Sequence, residues 1–410
     1  MIFTIEELPI INVMLLIAIA LIFARVFAYI FDVLKQPAVI GEIAAGIILG
    51  FFGLVFFNGQ SISFFSFSFS LPNLDYQSME FSVFANLGIL FLLFISGLET
   101  SIKKLKKMGS TSSLVAAGGI IVPLLFGIGT ALLLGFQMHE SVIIGLILIA
   151  TSVGITVRTL MDIHVLDTDA GAAILGSAVI DDVFGLVLLA FFLGTDTPLY
   201  VGLKVIIFFV IFLYIGLLIF DKILFLGEKI RLPKAFLSII LALFLLYSFF
   251  AESLGVAGII GAFFAGLIIG NNLKNKKLIE DVKTIGYGFF IPLFFVWIGA
   301  SIWSDTTIFN LSSLATIVLI AVIIIFIAII GKIVGCGIGA KISGMTNKES
   351  LQVGIGMIPR MELALIIVSS AISYNILTGS TAHQILLVTI LLTLVTTLIT
   401  PFLLKYAFID

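Results

Sequence analysis

Asp181 and Asp182 stand side by side in the middle of an apolar stretch, Ser177-Ala178-Val179-Ile180-Asp181-Asp182-Val183-Phe184-Gly185. Neighbouring residues on a helix point about 100° apart. One carboxylate can therefore pair with an adjacent helix while the other faces a cavity. Their adjacency couples their protonation, and a carboxylate that gives up its proton near neutrality can trade it for a hard monovalent cation. Three more charges lie inside apolar stretches: Lys332 in Ile329-Ile330-Gly331-Lys332-Ile333, and Arg360 and Glu362 in Gly356-Met357-Ile358-Pro359-Arg360-Met361-Glu362. Each charge costs roughly 2.5–3.5 kcal/mol at the centre of a spanning helix, so five unpaired ones would cost more than about 12 kcal/mol. They must meet one another, water or an ion. A purely stabilising ion-pair cluster is the weaker reading, because apolar residues would serve stability better.

Two stretches look built to interrupt the helices that carry such groups. One is Ala150-Thr151-Ser152-Val153-Gly154-Ile155-Thr156; the other is Gly354-Ile355-Gly356-Met357-Ile358-Pro359-Arg360. Pro359 lacks a backbone donor and blocks a helical bond. Paired interruptions in corresponding halves of a chain point to a site near the bilayer midplane. Arg360 or Glu362 would neutralise an exposed half-helix end, and Thr151 and Ser152 would offer hydroxyls to an ion path. Thr156 reads better as a hydroxyl bonded back within its own helix. Gly331, Gly335 and Gly339 form a small-residue stripe that lets another helix approach. Packing alone explains the stripe, which would set the Lys332 backbone against the sixth helix. His164, with Asp162, Asp167 and Asp169, reads as a solvated inner loop.

Positioning these residues is the work of the rest of the chain. It has 410 residues, 61% hydrophobic and 11% charged, with a mean hydropathy of +1.31. Soluble chains run about 45–50% apolar and about 25% charged, so a soluble enzyme and a disordered chain are both excluded. A net charge of −2 gives no basis for a nucleic-acid partner. Cys336 is the only cysteine, which excludes disulfides and CxxC sites; it reads as a small helix residue.

Apolar runs of spanning length predict an all-α polytopic membrane protein of about thirteen helices. They lie near 10–32, 38–57, 81–98, 111–136, 140–161, 168–194, 198–221, 235–253, 256–272, 284–303, 311–341, 350–375 and 383–405. The Ser/Phe-rich stretch 58–80 is expected at the membrane surface. No loop could hold a soluble regulatory or nucleotide-binding domain, so a primary pump is not expected. With the N-terminus outside, 17 of the 21 Lys and Arg fall on the inner side, Lys103, Lys104, Lys106 and Lys107 among them. That orients the chain with a cytoplasmic C-terminus. Ala45-Gly46-Ile47-Ile48-Leu49-Gly50 echoes Ala265-Gly266-Leu267-Ile268-Ile269-Gly270, and Phe94-Ile95-Ser96-Gly97 echoes Val296-Trp297-Ile298-Gly299. Two six-helix repeats, about 10–194 and 235–405, are thus expected. The helix at 198–221 joins them, so the second repeat is inverted.

At these residues the chain resembles the second family of monovalent cation:proton antiporters, which includes NapA-type sodium/proton antiporters and Kef-type potassium/proton systems. The likeness spans nearly the whole sequence. It rests on Gln36-Pro37 through Gly41-Glu42, Ile95-Ser96-Gly97-Leu98-Glu99, Thr151-Ser152, Asp181-Asp182, Gly261-Ala262-Phe263-Phe264-Ala265-Gly266-Leu267 and Pro359-Arg360-Met361-Glu362. Asp181, Asp182 and Lys332 fit the NapA-type pattern. Met361 departs from it, since many relatives carry Gly there.

The resemblance implies a sodium/proton antiporter of NhaA/NapA-like fold in the plasma membrane, serving pH homeostasis and needing no cofactor beyond the transported Na⁺ and H⁺. It implies a homodimer in which a core domain, candidate helices 3–5 and 10–12 with helix 6, moves against a dimerisation domain. Asp182 would be the main cation and proton ligand, and Asp181 would pair with Lys332 when no ion is bound. It further suggests electrogenic exchange of two protons per sodium ion. Lithium in place of sodium, or a potassium/proton antiporter of the same fold, is the alternative. A passive channel would carry flux without proton coupling. An intramembrane aspartyl protease needs aspartates converging from separate helices, whereas these are consecutive.

Overall fold

The computed structural model describes residues 9–34, 36–56, 61–64, 67–70, 74–100, 102–193, 234–254, 258–272, 276–303 and 311–409, with isolated positions between 200 and 207. The expected linker helix at 198–221 lies almost wholly outside the described residues, as do Lys35 and the basic run 222–233. Every other candidate span coincides with helix. In chain order these are α1 (Pro9–Val33), α2 (Ala38–Phe56), α3 (Met79–Glu99), α4 (Ile102–Lys107), α5 (Gly109–Leu133), α6 (Met138–Ile149), α7 (Val153–Asp162) and α8 (Asp169–Leu193). They continue with α9 (Ala235–Ser253), α10 (Gly258–Asn272), α11 (Lys276–Ile285), α12 (Ile291–Ala300), α13 (Leu311–Ile342), α14 (Asn347–Gly356), α15 (Glu362–Ser373) and α16 (Gly379–Ile409). Among the described residues, nine segments are long and apolar enough to cross a bilayer.

Two local outcomes differ from expectation. The stretch between α2 and α3 holds an antiparallel hairpin, β1 (Ser61–Phe64) with β2 (Phe67–Ser70). Its strict alternation of Ser with Phe or Ile has the period of a strand. The tenth span starts earlier than 284, at Lys276, and passes through a π-helical turn at Gly286–Phe290 before α12. The fifth and twelfth spans are each two half-helices, as their sequences implied.

The chain forms two compact units, Met1–Leu92 with Lys283–Phe309, and Leu93–Val282 with Asn310–Asp410. In the first, α2 packs on both α1 and α12 around Leu16, Ala20, Ala24, Ala45, Leu49, Leu293 and Val296. Here a Cβ on Gly46 would collide with the Val296 carbonyl, and one on Gly299 with that of Ile43. In the second unit a Cβ on Gly266 would collide with the Phe94 carbonyl, and one on Gly97 with that of Phe263. The residues matched by the repeated strings thus make the same helix crossing twice, once in each unit.

The bundle that matters for chemistry lies in the second unit. There α5 packs on α6, α8 and α13, while α16 packs on α7, α13, α14 and α15. Candidate helices 4–6 and 11–13 therefore form the central bundle. The grouping 3–5 with 10–12 does not hold: helix 13 belongs to the bundle, while α12, from helix 10, packs on α1 and α2.

Candidate ion and proton site

Pro359 has no N–H, and its ring forces the preceding residue away from helical geometry. α14 accordingly ends at Gly356, and α15 begins only at Glu362. The break after α6 contains no proline. Thr151 Oγ1 instead bonds the Ile149 carbonyl at 3.4 Å, and Ser152 is extended, with φ −93° and ψ 112°. Local side-chain bonds of this kind compete with helix formation. The two interrupted segments meet, with Ser152 N donating to the Pro359 carbonyl at 2.7 Å.

Broken helices leave carbonyls without helical partners, and hydrocarbon supplies no water to satisfy them. Arg360 is fully buried and answers this need. Its Nη2 donates to the carbonyls of Leu148 at 2.9 Å and Ala328 at 3.0 Å, and its Nη1 to that of Ile358. Leu148 lies in the last turn of α6, the negative end of that half-helix. Arg360 thus sets its guanidinium on the carbonyl end of that half-helix. Thr156 does not bond back within its own helix: its Oγ1 donates to the Gly356 carbonyl at 2.6 Å. The last carbonyl of α14 is a stronger competitor because no helical N–H reaches it. Glu362 is the first residue of α15; its side chain is outside the described residues.

Against this crossing lies the middle of α8. Asp181 is 1% exposed and Asp182 6%. Asp181 Oδ2 accepts from Lys332 Nζ at 2.6 Å and from Thr151 Oγ1 at 3.0 Å. Both side chains of the ion pair are completely buried. Two other buried oxygens here, Asp181 Oδ1 and Ser152 Oγ, make no hydrogen bond with any described residue. The structure therefore joins Asp181, Thr151 and Lys332 directly. It sets Asp182 in the same buried turn and Ser152, Pro359 and Arg360 in the crossing beside them.

The glycine stripe of α13 packs on α5, not on α8. A Cβ on Gly335 would meet the Gly118 carbonyl, and one on Gly339 that of Leu114. Because α5 also packs on α8, Lys332 reaches Asp181 with its side chain rather than its backbone. Gly119 makes room for it: a Cβ there would lie 2.5 Å from Cys336 Sγ and 3.3 Å from Lys332 Nζ. Gly119 and the threonines of α16 were not singled out from the sequence. The only signal for Gly119 is the doublet Gly118-Gly119 inside an apolar helix. In the first unit, fully buried Glu42 lies 3.6 Å from Arg25, a second intramembrane charge pair.

Interrupted helices beside buried charges are a feature of secondary transporters, and the apolar helices make this a multi-pass membrane protein. The chain matches the family model for sodium/hydrogen exchanger, transmembrane, over residues 17–406 and belongs to that family. Its members are antiporters of monovalent cations and protons, not enzymes. The chain is 34% identical to the Na⁺/H⁺-K⁺ antiporter GerN of Bacillus cereus, covering 92% of this chain and 91% of GerN. It is 32% identical to a Na⁺/H⁺ antiporter of Enterococcus hirae, over 90% and 91% of the two chains. Among solved structures it resembles the sodium proton antiporter MjNhaP1 of Methanocaldococcus jannaschii, with a TM-score of 0.66, 18% identity, and 97% and 96% of the chains covered. That last likeness is one of fold.

Proposed function

We propose that this chain is an electrogenic sodium/proton antiporter working by alternating access, with Asp182 as the main ion and proton ligand. The observation that carries the reading is the Asp181–Lys332 pair, 2.6 Å apart with both side chains wholly buried. Such pairs are poor stabilisers, and ionisable groups inside a membrane mark ion and proton paths. With the site open to one side, Na⁺ displaces the proton from Asp182. Asp181 then releases Lys332, which gives up its own proton. Thr151 Oγ1, already 3.0 Å from Asp181, and Ser152 add neutral oxygen ligands. A satisfied site crosses the low-dielectric barrier readily; an empty, charged one crosses poorly, which enforces exchange. Two protons per sodium ion make each cycle move net charge.

The doubled glycine crossings support an inverted repeat of about 10–194 and 235–405. By the positive-inside pattern the N-terminus is outside and the C-terminus cytoplasmic, in the plasma membrane, and the working unit is a homodimer. Potassium is the second reading for the transported cation, favoured by the K⁺ in the name of GerN. The test is purified protein in proteoliposomes, with Na⁺, Li⁺ and K⁺ gradients imposed at several pH values and two membrane potentials. Proton movement driven by Na⁺ and sensitive to potential is expected. Proton movement driven by K⁺ alone would favour the second reading, and none under any gradient would overturn both.

A further inference from the structure

The two breaks are related by the repeat, with Gly145 corresponding to Gly354. A Cβ on Gly145 would press on the Leu124 carbonyl at 3.0 Å, and one on Gly354 on that of Ile333 at 2.8 Å. The same offset of 209 residues sets Thr151 opposite Arg360. In the first repeat Thr151 is held by α8, through Asp181 Oδ2 at 3.0 Å. In the second, Arg360 is held by α16: its N–H donates to Thr396 Oγ1 at 3.2 Å, and its carbonyl accepts from Thr397 Oγ1 at 3.5 Å. The adjacent pair Thr396-Thr397 thus stands where the adjacent pair Asp181-Asp182 stands in the other half. Both threonines are 0% exposed.

We infer that Thr396 and Thr397 are positioning residues for transport, a splint that fixes the second break against the first. The inference rests on the antiport reading. The Arg360 N–H lies inside the break, where no helical carbonyl reaches it. Thr396 Oγ1 also donates to the Leu392 carbonyl at 2.7 Å, which leaves its lone pairs turned to Arg360. With both backbone groups of Arg360 held, the Pro359 carbonyl stays 2.7 Å from Ser152 N. The register of Thr151 and Ser152 beside Asp181 follows. The splint acts through the break and touches no ion.

Thr389 supplies an internal control. It is a buried threonine of the same helix whose hydroxyl, among the described residues, bonds only the Ile385 carbonyl, at 2.7 Å. Sodium-driven proton movement would be measured in proteoliposomes for wild type, Thr396→Val, Thr396→Ser, Thr397→Val and Thr389→Val, with apparent KM and maximal rate separated. Loss of one buried hydrogen bond corresponds to about a fivefold effect. Thr396→Val is expected to raise the apparent KM for Na⁺ by about that factor, Thr396→Ser to restore it, and Thr389→Val to leave it unchanged. Thr397→Val should raise KM less, given its longer bond, and it carries the test if Thr396→Val fails to fold. Unchanged KM in both valine variants, or an equal rise in Thr389→Val, would overturn the splint while wild-type exchange stands. Absence of sodium-driven exchange in wild type would overturn the antiport reading instead.

Discussion

The two broken helices solve one backbone problem in opposite ways. After α6, the break turns hydroxyls toward a carboxylate: Thr151 bonds Asp181, and Ser152 Oγ makes no bond with described residues. After α14, the break turns a guanidinium toward carbonyls, and Arg360 is tied to Leu148, Ala328 and Ile358. The first side uses weak, exchangeable oxygen contacts around a titratable group. The second uses a permanently charged fork with several fixed acceptors. On the antiport reading, the contrast points to exchange at the first break and rigidity at the second.

Breaking the pair on the exchanging side should cost most. Lys332→Ala leaves Asp181 buried and unpaired, a loss of about 3–5 kcal/mol to be read as a fall in melting temperature at neutral pH. Lys332→Gln with Asp181→Asn should lose less than Lys332→Ala, since no charge is stranded. An unchanged melting point for Lys332→Ala would contradict a tightly coupled pair. In transport, Lys332→Gln should also weaken the response to membrane potential; an unaltered response would remove Lys332 from proton coupling.

On the rigid side, Arg360→Met strands the carbonyls of Leu148 and Ile358, which no helical N–H reaches. Hydrogen bonds from charged donors are worth about 1.5–3 kcal/mol, and thermal unfolding should show a loss of that order. Arg360→Lys keeps the charge but not the fork, so it should recover only part. Full recovery by lysine would reduce the residue to a point charge at the end of α6.

Gly119→Ala sharpens the comparison by crowding Lys332 and Cys336 without touching either break. Overpacking of this kind costs about 1–3 kcal/mol, and pairing it with Cys336→Ala should relieve much of the loss. The smallest effect is expected for Thr156→Val, which leaves the Gly356 carbonyl without its donor, at about 1 kcal/mol. If Thr156→Val proved as damaging as Arg360→Met, the rigid side would rest on more than its guanidinium.

The sequence made the charges and the breaks legible because both violate strong rules. Charge is expensive in an apolar helix, so Asp181, Asp182, Lys332 and Arg360 stand out from their surroundings. Pro359 and the Thr151-Ser152 run are poor helix formers in helical spans. What stayed hidden has no such contrast. Thr396 and Thr397 look like ordinary threonines that could bond within their own helix; only the structure shows that they also hold Arg360. Gly119 is one glycine among 38. The glycine stripe of α13 announced a close helix partner without saying which, and α5 was as eligible as α8. Thr156 reads as bonding locally from sequence because its acceptor lies 200 residues away.

Sodium-driven proton movement by Asp182→Asn, reconstituted beside wild type, tests the account at its centre. Asparagine keeps the shape and removes the titratable charge. Exchange is expected to disappear in the variant while the protein stays folded and inserted. Exchange of Na⁺ for H⁺ at an undiminished rate would contradict it.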